Sequence, residues 1–137
     1  MTATDPTEKK SRGRVLVVDD SAIVLAVCRE RLEEAGYEVN VRESALGTSA
    51  MVIRDRPDAV LMDVDLPGLS GDQIASLIRK NDAGEGTPII ILHSGLTAQV
   101  LGGMVEECGA AGYIQKTDDD ALFISQFNQI FLRAQGK

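Results

Sequence analysis

The chain has few cysteines, no long apolar run and no excess of positive charge, and each lack excludes a class of protein. Its two cysteines, Cys28 and Cys108, form neither a CxxC pair nor a metal-binding spacing, so we predict reduced core thiols. No stretch approaches the roughly 18 apolar residues that a membrane helix needs, and the N-terminus has no apolar signal region. We therefore predict a cytoplasmic protein without a membrane partner.

The charge balance excludes a further class. The chain has 21 acidic and 14 basic residues, a net charge of −7, which disfavours binding to nucleic acid. Its 137 residues suffice for one domain with a buried core. Residues 1–13 are polar and show no apolar period. We predict a flexible tail over 1–13, a single domain over 14–137, and no output domain.

From Arg14 onward, short apolar runs alternate with helical patterns. Predicted strands cover 15–19, 37–41, 58–62, 89–92 and 111–115, and predicted helices cover about 21–35, 44–54, 71–80, 97–108 and 118–134. Five such βα units predict an α/β fold, a three-layer (βα)5 arrangement with a doubly wound parallel sheet. An eight-unit barrel needs about 250 residues, so the sheet must be open.

Acidic side chains stand at the carboxyl ends of two predicted strands. Asp19 and Asp20 follow the run VLVV, and Asp63 follows AVLM. Open α/β sheets bind ligands at this edge, so we expect the carboxylates to converge. Each close pair then costs on the order of 3–4 kcal/mol, which a divalent cation relieves. Oxygen-only ligands favour Mg²⁺, with Mn²⁺ possible. The alternative is that Asp19 and Asp20 only cap the next helix.

The fourth and fifth strands add Ser94 and Lys116 to the same edge. Three carboxylates are then balanced by Mg²⁺ and one ammonium. A phosphoryl group entering this site meets a metal, an ammonium and a hydroxyl, as phosphoryl transfer requires. Asp63 is the predicted nucleophile. The alternative for Ser94 is a helix cap, and strand alternation turns the side chain of His93 away, as a packed or edge residue.

Four segments carry a family resemblance: VLVVDD, DAVLMDVDLPGLSG, ILHSG and GYIQK. In this order and spacing they resemble the receiver domain of bacterial two-component response regulators, as in single-domain chemotaxis regulators, over about residues 14–134. The resemblance implies the flavodoxin-like sheet order 2-1-3-4-5. It also implies a phosphorelay in which Asp63 accepts a phosphoryl group from a sensor histidine kinase or a histidine phosphotransfer protein.

The resemblance implies roles for individual residues. Metal ligands are Asp19, Asp20, Asp63 and the backbone carbonyl of Asp65, while Asp63, Ser94 and Lys116 carry the chemistry. Ser94 and Tyr113 form the switch, the alternative for Tyr113 being a surface aromatic that never moves. The fourth helix, fifth strand and fifth helix would form the face that binds an unknown downstream protein or a second copy after phosphorylation, the resting state being a monomer. Only self-phosphorylation and autodephosphorylation are implied, not turnover of a substrate.

Several residues depart from the family pattern. Thr117 replaces the usual proline after the lysine, which puts its cis peptide in question. Gly95 replaces alanine after the switch hydroxyl. Asp65 and Leu96 occupy two positions that tune phosphate lifetime, and because Leu96 cannot activate water we predict slow to moderate autodephosphorylation.

The last two predicted helices have features of their own. Gly102 and Gly103 cost about 1 kcal/mol each relative to alanine, which predicts either a helix that shifts on phosphorylation or close packing against a neighbour. In the fifth helix, Ile124 and Leu132 are predicted to be exposed. The predicted core stripe of that helix is Phe123, Phe127, Ile130, Phe131 and Ala134.

Three other interpretations fit parts of the sequence. A haloacid-dehalogenase-like phosphatase shares the DxD pattern of Asp63-Val64-Asp65, but carries it on its first strand. A pseudo-receiver would bind partners without phosphorylation, against which the complete residue set argues. A receiver excised from a larger protein is the third reading, and the start at Met1 argues for a complete chain instead.

Overall fold

A computed structural model describes residues 11–44, 48–66, 73 and 88–136. The described elements, in chain order, are β1 (Arg14–Val18), α1 (Ala22–Glu34), β2 (Glu38–Arg42), α2 (Thr48–Asp55), β3 (Ala59–Asp63), β4 (Ile89–Ser94), α3 (Ala98–Cys108), β5 (Gly112–Gln115) and α4 (Asp120–Ala134). The helix predicted over 71–80 lies outside the described residues, apart from Gln73. The helices α3 and α4 are therefore the fourth and fifth predicted helices.

The five strands form one parallel sheet in the order β2-β1-β3-β4-β5. The predicted fold class and strand order are confirmed. Strand β3 is buried along its whole length because helices cover both faces of the sheet. The chain reverses its direction of strand addition between β1 and β3, and a sheet of this kind opens its ligand crevice at that point.

The sheet separates two apolar cores. One lies under α1 and α4 and includes Leu32 and Phe127, and the other lies under α2 and α3 and includes Val52 and Leu101. The two cysteines are buried in opposite cores, Cys28 in the first and Cys108 in the second. This arrangement gives the three predicted layers.

Side-chain caps fix where the helices begin. The Ser21 side chain accepts a hydrogen bond from the Val24 amide, Thr97 accepts from Val100, and Asp119 accepts from Leu122. Each cap satisfies an amide that has no partner within its helix. No helix in the described parts of the chain is long and apolar enough to cross a membrane.

Helix α4 corrects part of the predicted stripe. Phe123, Phe127 and Phe131 are buried, but Ala134 at the end of the helix is exposed. Ile124, predicted to be exposed, is partly buried and packs against the first core, whereas Leu132 is exposed as predicted. Ala134 is the last residue of the helix, and no described residue buries it.

Close packing against the described residues is not the reason for the two glycines of α3. A Cβ built on Gly102 or on Gly103 meets no heavy atom within 4 Å.

At the N-terminus, residues 1–10 of the predicted tail lie outside the described residues. The amide of Arg12 donates to the Gly36 carbonyl at 2.9 Å, so the chain contacts the fold before β1 begins.

Candidate functional site

Three carboxylates meet at the carboxyl edge of the sheet. Asp19 directly follows β1 and Asp63 ends β3, and these strands pair in register at Val18 and Met62, which brings residues 19 and 63 side by side. One oxygen from each of Asp19, Asp20 and Asp63 lies within 4.8 Å of the others. Asp19 and Asp63 are buried while Asp20 is exposed. The structure thus brings together the predicted acidic cluster.

Lys116 bridges two members of this cluster. Its Nζ lies 3.1 Å from Asp19 Oδ2 and 3.8 Å from Asp63 Oδ1. The Lys116 amide donates to the Ser94 carbonyl at 2.8 Å, which holds the start of the following loop against the end of β4. Three carboxylates beside one ammonium leave a local charge of −2. A divalent cation has the charge that complements this.

The hydrogen bonds of the cluster fit a cation site. Asp19 Oδ1 accepts from the Ser21 amide at 2.9 Å. The buried Oδ2 has the Lys116 ammonium 3.1 Å away as an ionic neighbour, but it accepts no hydrogen bond from the described residues. Burial raises the pKa of Asp63 above its usual range, and the charges of Asp19 and Asp20 raise it further, against a hydrogen bond from the Asp65 amide and the charge of Lys116. A buried carboxylate oxygen without a donor is a suitable ligand for a hard cation such as Mg²⁺.

Ser94 places a hydroxyl beside the cluster. It ends β4, is buried, and its Oγ accepts a hydrogen bond from the Leu96 amide at 3.0 Å. The alternative that Ser94 caps the next helix is wrong, because Thr97 is the N-cap of α3. The Ser94 hydroxyl donates to none of the described residues, so its proton is available for a bound group. A pocket of about 540 Å³ joins Ser94, Asp63 and Lys116, with the exposed Asp65 and Leu96 at its rim.

Tyr113 lies apart from this pocket. It is partly buried, packs against the second core, and lines a groove of about 290 Å³ between α3 and α4. Gly102 and Ile130 line the same groove. Of the predicted site residues, Tyr113 is therefore the one that the structure places in neither the carboxylate cluster nor its pocket.

Arg31 is a site-supporting residue that the sequence reasoning missed. Its Nη2 donates to the Thr117 carbonyl at 2.9 Å, and its Nε lies 2.6 Å from Asp120 Oδ1. The guanidinium also lies 5.1 Å from the centre of the Phe123 ring. The Lys116–Thr117 peptide is trans, since no described peptide bond is cis. A buried arginine thus holds the loop at the position where the family pattern has proline. One signal in the sequence could have identified it. Arg31 follows Cys28 by three residues, a helical spacing that places it on the buried face of α1.

His93 lies on the other side of β4 from Ser94. Its imidazole is buried and packs edge-on against Phe123, with 5.7 Å between the ring centres. The prediction of a packed histidine is confirmed. Burial is the main cause that lowers its pKa to about 3, helped by the charges of Lys116 and Arg31, so the imidazole is neutral.

Comparisons with known proteins agree with this geometry. A family model described as the response regulator receiver domain matches residues 15–128. Protein PilH of Pseudomonas aeruginosa is 30% identical over 120 residues, which cover 86% of this chain and 97% of PilH. The phosphate regulon transcriptional regulatory protein PhoB of the same species is 30% identical over 120 residues, 87% of this chain and 52% of PhoB. The chain thus spans nearly all of the first relative and about half of the second.

Solved structures share the fold. A two-component response regulator of the LuxR family from Aurantimonas superposes with a TM-score of 0.78 at 28% identity, covering 89% of this chain and 86% of that one. The chemotaxis protein CheY4 of Vibrio cholerae superposes with a TM-score of 0.76 at 24% identity, covering 85% and 97%. The second likeness concerns the fold alone.

Proposed function

The chain belongs to the response regulator receiver domain family, and on that premise we propose that Asp63 accepts a phosphoryl group from the phosphohistidine of a sensor histidine kinase or a histidine phosphotransfer protein. The observation that carries this proposal is the placement of Asp63 within one pocket with Ser94 and Lys116, beside Asp19 and Asp20. An aspartate with these neighbours is equipped as a nucleophile toward phosphorus.

The acidic cluster is the proposed metal site. Asp19, Asp20 and Asp63 would hold Mg²⁺, or Mn²⁺ in its place, and the backbone carbonyl of Asp65 is a further proposed ligand. The bound ion supplies positive charge that offsets the phosphoryl oxygens. The Oδ2 atom of Asp19, which pairs ionically with Lys116 but accepts no hydrogen bond from the described residues, supports this assignment.

The chain's own residues carry out the transfer. A carboxylate oxygen of Asp63 attacks phosphorus, the phosphorus–nitrogen bond breaks, and its electron pair stays on the donor imidazole. The Lys116 ammonium, 3.8 Å from Asp63 Oδ1, pairs with a phosphoryl oxygen, and the Ser94 hydroxyl donates to another. Water later attacks the phosphorus of the acyl phosphate and releases inorganic phosphate. The protein therefore modifies itself and turns over no external metabolite.

The phosphorylated form is proposed to bind a partner through α3, β5 and α4. The Ser94 hydroxyl turns toward the phosphoryl group, and Tyr113 moves inward from the groove where it is partly buried. Val100 and Leu122 are exposed apolar side chains on α3 and α4, 46% exposed in each case. An unknown downstream protein or a second copy of the chain would cover this face.

We expect autodephosphorylation to be slow to moderate. Leu96 stands at the pocket rim, 41% exposed, and has no group that can activate water. Asp65 is exposed at the same rim. Loss of the phosphoryl group, followed by intact mass after removal of the donor, measures the lifetime. A half-life of a few seconds in the absence of any phosphatase contradicts this expectation.

Labelling with a small phosphodonor tests the main proposal. Wild type, Asp63→Asn and the control Asp118→Asn are mixed with Mg²⁺ and acetyl phosphate, and intact mass reports whether one phosphoryl group is added. Asp118 is an exposed acid outside the cluster. Labelling of wild type and Asp118→Asn but not of Asp63→Asn is expected. An unlabelled wild type that is also unchanged by beryllofluoride would favour a pseudo-receiver.

A further inference from the structure

A second cavity lies on the opposite side of β4 from the acidic pocket. It has a volume of about 570 Å³ and opens between α1 and the loop after β5. Val24, Ala26, Val27 and Cys28 of α1 form an apolar wall, and His93 lines the cavity from the sheet. Sites for small organic ligands have this volume and this mixture of apolar walls and few polar groups.

The histidine that lines this cavity has an unpaired ring nitrogen. His93 is 3% exposed, and its Nε2 is buried without a hydrogen-bond partner among the described residues. A buried polar atom without a partner destabilises the protein, so a ligand that completes the bond gains affinity from it. A hydroxyl suits this role whichever tautomer the neutral imidazole adopts, because it can both donate and accept.

The charges around the cavity favour a neutral ligand. The two basic side chains in the lining already have acidic partners, since Arg31 pairs with Asp120 and Lys116 pairs with Asp19. The lining also contains the acids Glu30 and Asp118, which repel an anion. Arg31 and Lys116 in the same lining repel a cation, so a neutral molecule avoids both repulsions.

The mouth of the cavity is apolar and open. Ile23 is 77% exposed and Val27 is 39% exposed, although both are large apolar side chains of α1. We propose that the cavity binds a small neutral molecule with an apolar body and one hydroxyl group, which hydrogen-bonds to His93.

A ligand in this cavity would also bias the acidic pocket. Lys116 lines both cavities, and Thr117, whose carbonyl Arg31 holds, lines the second one. A molecule that contacts this wall changes how Lys116 is held beside Asp63. This regulatory part rests on the proposed phosphoryl chemistry, while the binding part does not. Coupling between two binding sites is reciprocal, so the effect is measurable from either side.

The test uses two probes that differ by one hydroxyl. The full chain is titrated with 4-ethylphenol or ethylbenzene, and NMR follows the amides and the His93 ring nitrogens. We expect saturable shifts confined to residues 23–31, 93 and 116–118. We also expect 4-ethylphenol to bind about five- to tenfold more tightly, because one neutral hydrogen bond contributes about that factor.

Variants separate the hydroxyl contact from the cavity itself. His93→Phe keeps an aromatic ring against Phe123, and we expect the two probes to bind it equally. Val27→Phe fills the mouth, so neither probe should bind, whereas Val100→Phe alters an exposed valine of α3 outside the cavity lining and should bind both. If His93→Phe does not fold, the two valine variants still decide whether the cavity is the site.

Other outcomes overturn the proposal. If wild type binds the two probes with equal affinity, the cavity is apolar and does not recognise a hydroxyl group. Absence of saturation below the solubility of 4-ethylphenol, or equal loss of binding in both valine variants, means that there is no site.

The coupling has its own measurement. The affinity for 4-ethylphenol is measured with and without Mg²⁺ and beryllofluoride, in wild type and Asp63→Asn. A change confined to wild type supports coupling, and no change refutes it. If the phenol binds while no phosphoryl group can be attached, the cavity stands and the proposed phosphoryl acceptance fails.

Discussion

Replacing Gly102 and Gly103 by alanine should stabilise the protein. Both glycines lie inside α3, one partly buried and the other exposed, and an added Cβ meets no atom within 4 Å at either position. Glycine costs a helix interior about 1 kcal/mol relative to alanine, mostly as backbone entropy. Because neither methyl group clashes, the gain should be undiminished by packing strain. The double variant should therefore gain about 2 kcal/mol of unfolding free energy.

A gain in unfolding free energy of this size predicts a shift of the melting temperature. Unfolding of a 137-residue chain carries an entropy of about 0.29 kcal/mol per kelvin, so 2 kcal/mol raises the Tm by about 7 °C. Thermal unfolding by circular dichroism and calorimetry measures the shift, and each single variant should show about half of it. Amide hydrogen exchange across α3 should slow in parallel.

Gly13→Ala is the matched control. Gly13 has a φ of 154°, and a Cβ built there lies 2.9 Å from Cζ of the buried Phe131 ring. The same chemical change should thus cost about 1–3 kcal/mol here. An unchanged or lower Tm in the double variant, with helical content intact, would refute the view that α3 is held back by its glycines.

Three further predictions concern the site and its support. Mg²⁺ at 100 times its dissociation constant should raise the free energy of unfolding by about 2.7 kcal/mol in wild type and in Asp118→Asn. It should not do so in Asp19→Asn, and thermal unfolding measures the difference. The folded pKa of His93, about 3, lies below its usual 6.5, so the stability that it confers is complete above pH 6.5 and is lost as the pH falls toward 3. Urea unfolding should show wild type losing up to about 1.4 kcal/mol per pH unit more than His93→Phe over this range. Arg31→Gln should lower the unfolding free energy by about 1–3 kcal/mol and slow labelling by acetyl phosphate, whereas Arg29→Gln, in an exposed pair, should change stability by less than about 0.5 kcal/mol.

Contrary results are equally specific. An equal Mg²⁺ effect in both aspartate variants would place the ion elsewhere. Parallel pH curves for wild type and His93→Phe would mean that the imidazole is protonated in the folded protein. Full labelling speed in Arg31→Gln would mean that the loop after Lys116 needs no side chain to hold it.

The sheet and its acidic edge were predictable because they depend on short-range patterns. Short apolar runs such as VLVV and AVLM are typical of buried strands. Each is followed by an aspartate that the structure places in the cluster. The helix starts at Ser21 and Thr97 follow from capping, a contact across three residues. The strand order came from the family resemblance and not from these patterns.

The remaining features depend on contacts between distant residues. Arg31 holds Thr117 across 86 positions of the sequence, and no periodicity encodes such a pair. The unpartnered Nε2 of His93 depends on which groups fail to reach it, which only coordinates show. Ala134 fits the apolar stripe of α4 by its spacing, but the structure leaves it exposed. Spacing alone does not show where along a helix the core ends.

The aromatic cluster of the first core stands at the amino end of the sheet. Tyr37 packs edge-on against Phe127 and Phe131, and Phe131 closes over Gly13 just before β1. From there to Asp19 the chain runs about 20 Å in extended conformation. Substitutions so far apart and without shared partners add in their effects on free energy. Selection can therefore alter the lifetime or specificity of the acidic edge without repeatedly disturbing the part of the molecule that keeps it folded.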